Sequence, residues 1–193
     1  MDAYEAIAAR YSTRAFTSGA VPRPVIERLL AAAVRAPNHK LTEPWRFAVL
    51  SGASALRFAE LRRAHRATRF ADPAAPEAAK AIEKTFREAR DTPAFVVVLC
   101  AVSDDPVRAE EDYAAAMMAV ENLLIAATAE GLGSYVRTGG IMRDAAVREL
   151  VRAPDTHRIV AVVSLGYPAE TARPARRSDP ADRTVWLGHG PRP

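Results

Sequence analysis

Among its 193 residues the sequence has one cysteine, Cys100, and four histidines, His39, His65, His157 and His189. A lone cysteine excludes an internal disulfide and fits a reducing compartment. The histidines lack the short spacings of a metal site and have no cysteine cluster beside them, so no metal is expected. Neither a G-x-S-x-G elbow nor a catalytic Cys/His motif is present. Cys100 lies inside the apolar run AFVVVLCAV, where a thiol packs as a small hydrophobe rather than reacting. Asp104 and Asp105, just beyond that run, read as a strand-ending turn rather than a carboxylate pair. Long apolar stretches are missing too: none approaches the roughly 20 residues that span a bilayer. The opening MDAYEAIAAR has acids where a signal peptide needs bases, so a cytoplasmic location with no membrane partner is expected. The basic excess is small, 27 Lys and Arg against 23 Asp and Glu, and no block of Lys and Arg occurs. A nucleic-acid partner is therefore not expected, whereas the phosphate of a small ligand would suit such a surface. These gaps leave no side-chain acid–base or nucleophilic apparatus, hence no catalytic residue to name. An enzyme built on this chain would have to draw its chemistry from a cofactor.

What is present is an ordinary globular balance, 49% hydrophobic and 26% charged, suited to a single domain over residues 1–193. Asp2 and Glu5 make a capping-box start for a short helix through about Arg10. Pro22 and Pro24 introduce a helix whose Val25, Ile26, Leu29, Leu30 and Ala33 recur at helical spacing, ending near Arg35 ahead of Pro37. RFAVLSG reads as a strand, and residues 53–71 and 75–90 as two helices broken at Asp72-Pro73. AFVVVLCAV (94–102) is a buried central strand. Residues 106–130 form the clearest helix, with Met117, Val120, Leu124 and Ala127 on one apolar face, Met118 and Leu123 widening it, and Gly131 as its left-handed cap. GSYVRTGG gives a short strand and a glycine turn, residues 142–152 a helix, and HRIVAVVSLG (157–166) the last core strand. Strands and helices do not alternate strictly, so the fold class is α+β.

Three stretches carry the candidate chemistry. In RYSTR, an extended backbone would put Arg10, Ser12 and Arg14 on one face, two guanidinium forks around a hydroxyl, which suits a phosphate. Solvated arginines beside an N-capping serine fit the same letters. EGLGSYVRTGG holds four glycines in eleven residues, letting backbone N–H groups approach a flat or anionic ligand, or simply capping a helix and turning the chain. RAPNHKLTEPWRF is a polar loop pinned by proline at both ends, carrying Asn38, His39 and Lys40 ahead of Trp45.

Four blocks stand in order: RYSTRAF, VPRPVIERLLAAAVRAPNHKLTEPWRFAVL, DYAAAMMAVENLLIAATAEGLGSYVRTGG and LGYPAE. In that order and at that spacing they resemble the nitroreductase family of FMN enzymes, above all its compact members, over about residues 2–177. The resemblance implies a central, mostly antiparallel sheet flanked by helices, in an intertwined homodimer with FMN at the subunit interface. Arg10 and Ser12 match its phosphate-side contacts, and Arg14 a basic position near the pyrimidine edge of the flavin. Arg35 and His39 match positions that reach the FMN of the other subunit, so the proline-bounded loop would be a rigid arm, with Trp45 anchoring its base in the core. Val136, Arg137 and Thr138 match the segment along the isoalloxazine. Ala126, Ala127, Thr128, Ala129, Glu130 and Gly131 match a stretch assigned to the nicotinamide nucleotide of NAD(P)H. Arg177, or its neighbour Arg176, stands where many members carry a tail arginine for the phosphate. The tail from about residue 170 to 193, with its apolar TVWL, is expected to pack on something, the partner subunit being one choice.

The activity so implied is NAD(P)H-dependent, ping-pong reduction of nitroaromatics, quinones or similar flat, small aromatic acceptors. A non-catalytic flavin-binding or storage dimer, or reductive dehalogenation on the same scaffold, stays open. Glu43 in place of a common glutamine, Tyr11 in place of arginine or histidine, and Val136 in place of tryptophan depart from the pattern and bear on substrate choice.

Overall fold

The computed structural model describes residues 1–170 and 174–188, so His189 lies outside the described residues. Helix α1 (Ala3–Ala9) starts on the expected capping box: Asp2 Oδ1 accepts from the Glu5 N–H, and Glu5 Oε2 from the Asp2 N–H, both at 2.8 Å. RYSTRAF then runs extended, but it joins the sheet only through single bridges, Ser12 to Ser134 and Phe16 to Pro168. Helix α2 (Arg23–Ala33) ends two residues short of Arg35. Strand β1 (Trp45–Ser51) follows, then α3 (Ala53–Ala67) and α4 (Pro76–Arg90). Helix α3 is shorter than the 53–71 expected: Thr68 caps it, and its hydroxyl donates back to the His65 carbonyl at 2.9 Å. Strand β2 (Ala94–Ala101), helix α5 (Pro106–Ala129) and strand β3 (Gly133–Arg137) come next. The helix expected at 142–152 divides into a 3-10 turn at Gly140–Arg143 and α6 (Ala145–Leu150), because Asp144 is extended and caps the second piece through the Ala146 N–H. Strand β4 (His157–Gly166) closes the sheet.

The four strands are antiparallel in the order β1-β2-β4-β3. The central strands β2 and β4 are covered on both faces, which is why their sequences are apolar without alternation. Val96, Val98 and Cys100 point to the side of α2 and α5; Phe95, Val97 and Leu99 point to the side of α3 and α6. Helix α5 meets the first side mainly through Ala115, Ala116, Ala119, Val120, Leu123, Leu124 and Ala127. Met118 is instead exposed, correcting its place in the apolar stripe: at roughly 3.6 residues per turn it falls opposite Ala116 and Leu123. Gly131, at φ 75°, ends α5 as expected, with its N–H on the Thr128 carbonyl and the Leu132 N–H on the Ala127 carbonyl. That reversal sends β3 back along the edge of the sheet, where the site forms. No helix among the described residues is long and apolar enough to cross a membrane.

Candidate functional site

Strand β3 has β4 on one side, and on the other it receives the segment after α1. Ser12 bridges Ser134 in parallel, and the Thr13 N–H donates to the Ser134 carbonyl at 2.9 Å. The approach is possible because position 133 is glycine: a Cβ there would lie 2.5 Å from Thr13 Oγ1. RYSTR and GSYVR, more than a hundred residues apart in the chain, thus become neighbours. Side chains alternate as an extended backbone requires, Thr13 buried while Ser12 and Arg14 face outward. The Arg14 guanidinium lies 5.2 Å from the centre of the Tyr135 ring, with Nη2 donating to its hydroxyl at 3.5 Å. Arg137 lies 4.6 Å from the same ring centre, donates from Nε to Ser164 Oγ at 3.4 Å, and has Glu88 at 3.7 Å. Arg10 has Glu121 at 3.8 Å. Burial pulls the Arg137 pKa below its ordinary value, against the opposing pull of Glu88 and Tyr135. Arg14 and Arg137 therefore flank this edge without a close ion pair among the described residues, while Arg10 turns to α5. A cavity of about 240 Å³ runs beside Tyr135, Val136, Arg137 and Thr138, floored by Val162 and Arg62.

The proline-bounded loop is built differently from expectation. Prolines set its ends, but α5 holds its middle. His39 Nδ1 meets Glu111 Oε2 at 2.7 Å, and Thr42 Oγ1 donates to Asp112 Oδ1 at 2.7 Å. Asp112 is buried, with Arg108 at 3.5 Å from its other oxygen. Asn38 Oδ1 accepts from the Glu43 N–H at 2.9 Å. Between these ties, Lys40, Leu41 and Glu43 are all left-handed, at φ 53°, 53° and 42°. Such a run of non-glycine residues costs energy and persists only where the surroundings enforce it. Trp45 is buried at the foot of the loop, as expected. Asp112→Ala is expected to lose about 2 kcal/mol, since it strands the Thr42 hydroxyl and frees the strained run. Hydrogen exchange at residues 40–43 should accelerate with it; unchanged protection would show that the carboxylate does not hold the loop.

The remaining expected residues fall elsewhere. Arg35 is exposed and lines a groove of about 330 Å³ with Asn122, Ala126 and Ala129. Within the 126–131 stretch, Ala127 faces the core, the Thr128 hydroxyl donates to the Leu124 carbonyl, and Glu130 takes two 2.7 Å bonds from Arg28. That pairing holds the Glu130 carboxyl below the usual range. His39 lines a separate cleft with Lys40, Thr42, Arg108 and Glu111. Arg177 lies exposed in the tail, donating to the Ala175 carbonyl at 3.3 Å. So the subunit brings Ser12 and Arg14 against β3, the strand that leads into residues 136–138, while Arg10 turns to Glu121 on α5 and Arg35 and His39 line other clefts. Cys100 is buried, and burial pushes its thiol up to about 11, which leaves it unreactive.

Comparison with known proteins agrees with this architecture. YfhC of Bacillus subtilis (strain 168), provisionally named an NAD(P)H nitroreductase, is 29% identical over 181 residues, covering 92% of this chain and 90% of that protein. A nitroreductase-like family protein from Bacillus cereus has the same fold at a TM-score of 0.81 and 26% identity, covering 98% of this chain and 97% of that one. The FMN and NADPH-dependent nitroreductase NfnB from sphigopyxis sp. strain HMH matches at a TM-score of 0.80 and 21% identity, with 98% and 100% covered, a likeness of fold. The sequence model of the nitroreductase family spans residues 7–167, from the end of α1 through the β3 edge to Tyr167, and the chain belongs to that family.

Proposed function

We propose that the protein is an FMN-dependent NAD(P)H oxidoreductase that reduces nitroaromatics, quinones or similar flat acceptors, working as a homodimer with the whole chain as one unit. The observation that carries this reading is the junction of RYSTR with β3 through Ser12 and Ser134. It sets Ser12 and Arg14 against the strand that leads into Val136–Thr138. Arg10 at the start of the same segment and Arg137 on the strand have long ion pairs only partly satisfied, a donor set that fits a phosphorylated, flat, anionic group. The provisional name of YfhC as an NAD(P)H nitroreductase, and the name of NfnB as an FMN and NADPH-dependent one, support the same reading.

Arg10 and Ser12 would hold the phosphate, with Arg177 as a further cation from the tail. When bound, FMN would take hydride from NAD(P)H and pass the electrons to the second substrate. Arg14 would balance the negative charge that reduction leaves on the pyrimidine side, and Arg137 would add positive potential from a partly desolvated position. Backbone N–H groups of 136–138 would orient the ring, and the modest side chain of Val136 leaves the adjoining cavity open to a planar substrate. The groove shared by Arg35, Ala126 and Ala129 would take part of the nicotinamide nucleotide, while Ala127 and Glu130 are otherwise engaged.

The dimer is supported by apolar side chains left exposed on α1 and at the end of α2, namely Tyr4, Ile7 and Val34, on helices that pack on α5. Exposed Val185 and Leu187 support packing of the tail on the partner. In that dimer Arg35 and His39 would complete the other subunit's site.

The test is spectroscopic. Protein purified without added flavin should be yellow, and NADPH added without oxygen should bleach it. A colourless protein that ignores added FMN would sink the reading. Yellow protein that stays oxidised for many minutes would convert it to a flavin-storage dimer.

A further inference from the structure

Helix α3 carries Arg62, His65 and Arg66 at steps of three and four, hence on one face, and Arg69 follows two residues past its end. That face lines a cavity of about 210 Å³ whose far wall includes Gly139 and Gly140. The backbone of the turn calls for glycine at position 139, and the space at position 140 is tight. Gly139 has φ 124°, and a Cβ on residue 140 would lie 3.1 Å from His65 Nε2.

The charges in this space do not cancel. The anionic groups beside it are Glu88, 3.7 Å from Arg137, and Asp144, 3.8 Å from His65. Against these two stand Arg62, Arg66, Arg69 and Arg137, before His65 is counted. Arg62 Nη1 and Arg66 Nε are buried and donate to no acceptor among the described residues. Cationic N–H groups withdrawn from water without an acceptor are costly, and an oxyanion is the ligand that satisfies them. Burial, and then the neighbouring Arg137, already pulls the Arg62 pKa down to about 10. Arg62, Thr138 and Ile141 also line the cavity along β3, so the two spaces adjoin.

We propose that the space between α3 and the Gly139–Gly140 turn is an oxyanion site that takes the carboxylate or phosphate group of a planar substrate lying beside Val136–Thr138. Guanidinium forks suit both groups, because two parallel N–H donors match two oxygens. The oxyanion site stands on this geometry alone; the planar substrate rests on the flavin reading above.

The first arm of the test needs no turnover. Inorganic phosphate, compared with chloride at equal ionic strength, should raise the melting temperature of the protein as purified. The double variant R66Q/R69Q should lose that protection. Should the double variant fail to fold in chloride, R69Q alone, at the exposed mouth, should bind phosphate several-fold more weakly. The second arm compares acceptors and reductants on the flavin-loaded protein. If the oxyanion comes from the acceptor, R66Q/R69Q should lower the ratio of kcat/KM for 4-nitrobenzoate over nitrobenzene by about tenfold, a typical loss for a charge-assisted contact. If it comes from the reductant, the ratio for NADPH over NADH should fall instead. Phosphate protection absent from the parent protein, or undiminished in the variants, overturns the site whatever the flavin does. Protection lost in the variants from a protein that never turns over would leave the site standing and remove the oxidoreductase reading.

Discussion

Gly133→Ala is expected to destabilise the protein by about 3 kcal/mol, the upper part of the range for a methyl forced into packed surroundings. The methyl would arrive within 2.5 to 2.7 Å of three side-chain atoms of Thr13, Oγ1, Cγ2 and Cβ. Thr13 cannot retreat, because its own N–H is held by the Ser134 carbonyl and its side chain is buried. The strand and the N-terminal segment must therefore part. For a chain of this length the loss corresponds to roughly a 6–12 °C fall in Tm, readable by calorimetry. Because Ser12 and Arg14 ride on that segment, flavin retention should fall with it. Thr13→Ala in the Gly133→Ala background should recover part of the loss, since it removes two of the three clashing atoms. It also removes a buried hydroxyl that has no hydrogen-bond partner among the described residues. A Gly133→Ala protein that melts within about 2 °C of the parent, about 0.5–1 kcal/mol, would mean that the segment is not pinned to the strand edge.

The same junction marks the boundary of what the letters could tell. Strands β2 and β4 were legible because a run such as FVVVLC has few ways to be buried other than in a sheet covered on both faces. The caps at Asp2, Glu5 and Gly131 were legible because capping is local. Arg10, Ser12 and Arg14 could be placed on one face by alternation, yet nothing in RYSTR says that its neighbour is Ser134. Resemblance to a family assigned RYSTR and residues 136–138 to one ligand without saying that the two segments touch, and the isolated bridge supplies that contact. The α2–β1 loop was read as rigid for an incomplete reason. Prolines are visible in sequence, whereas the Thr42–Asp112 bond joins residues 70 positions apart. Asp112 itself sits in a helix of Ala, Glu and Met and looks like one more solvated acid. Arg62, Arg66 and Arg69 were hidden in the same way. An Arg-rich helix reads as a wet surface until the glycine turn closes over it. Met118 shows the opposite error, where hydrophobicity alone recruited a residue that helical geometry sends outward.

Arg10→Ala is expected to weaken FMN retention by about 10- to 100-fold while changing stability little. The asymmetry follows from the partners of Arg10. Among the described residues its only ion pair is a 3.8 Å contact with half-exposed Glu121, the kind worth roughly 0–1 kcal/mol. A guanidinium on a phosphate makes charge-assisted bonds worth about 1.5–3 kcal/mol, and every 1.4 kcal/mol is about tenfold in affinity. Ser12→Ala removes a neutral donor and should cost only several-fold, about 0.5–1.5 kcal/mol. Glu121→Gln supplies the control, because it loosens Arg10 from its carboxylate without removing the cation and should leave retention equal or improved. Dissociation constants from quenching of flavin fluorescence would rank the three variants. Should Arg10→Ala protein keep its flavin through prolonged dialysis, the phosphate does not lie at Arg10. The loose pairing of that arginine would then need another anion to explain it.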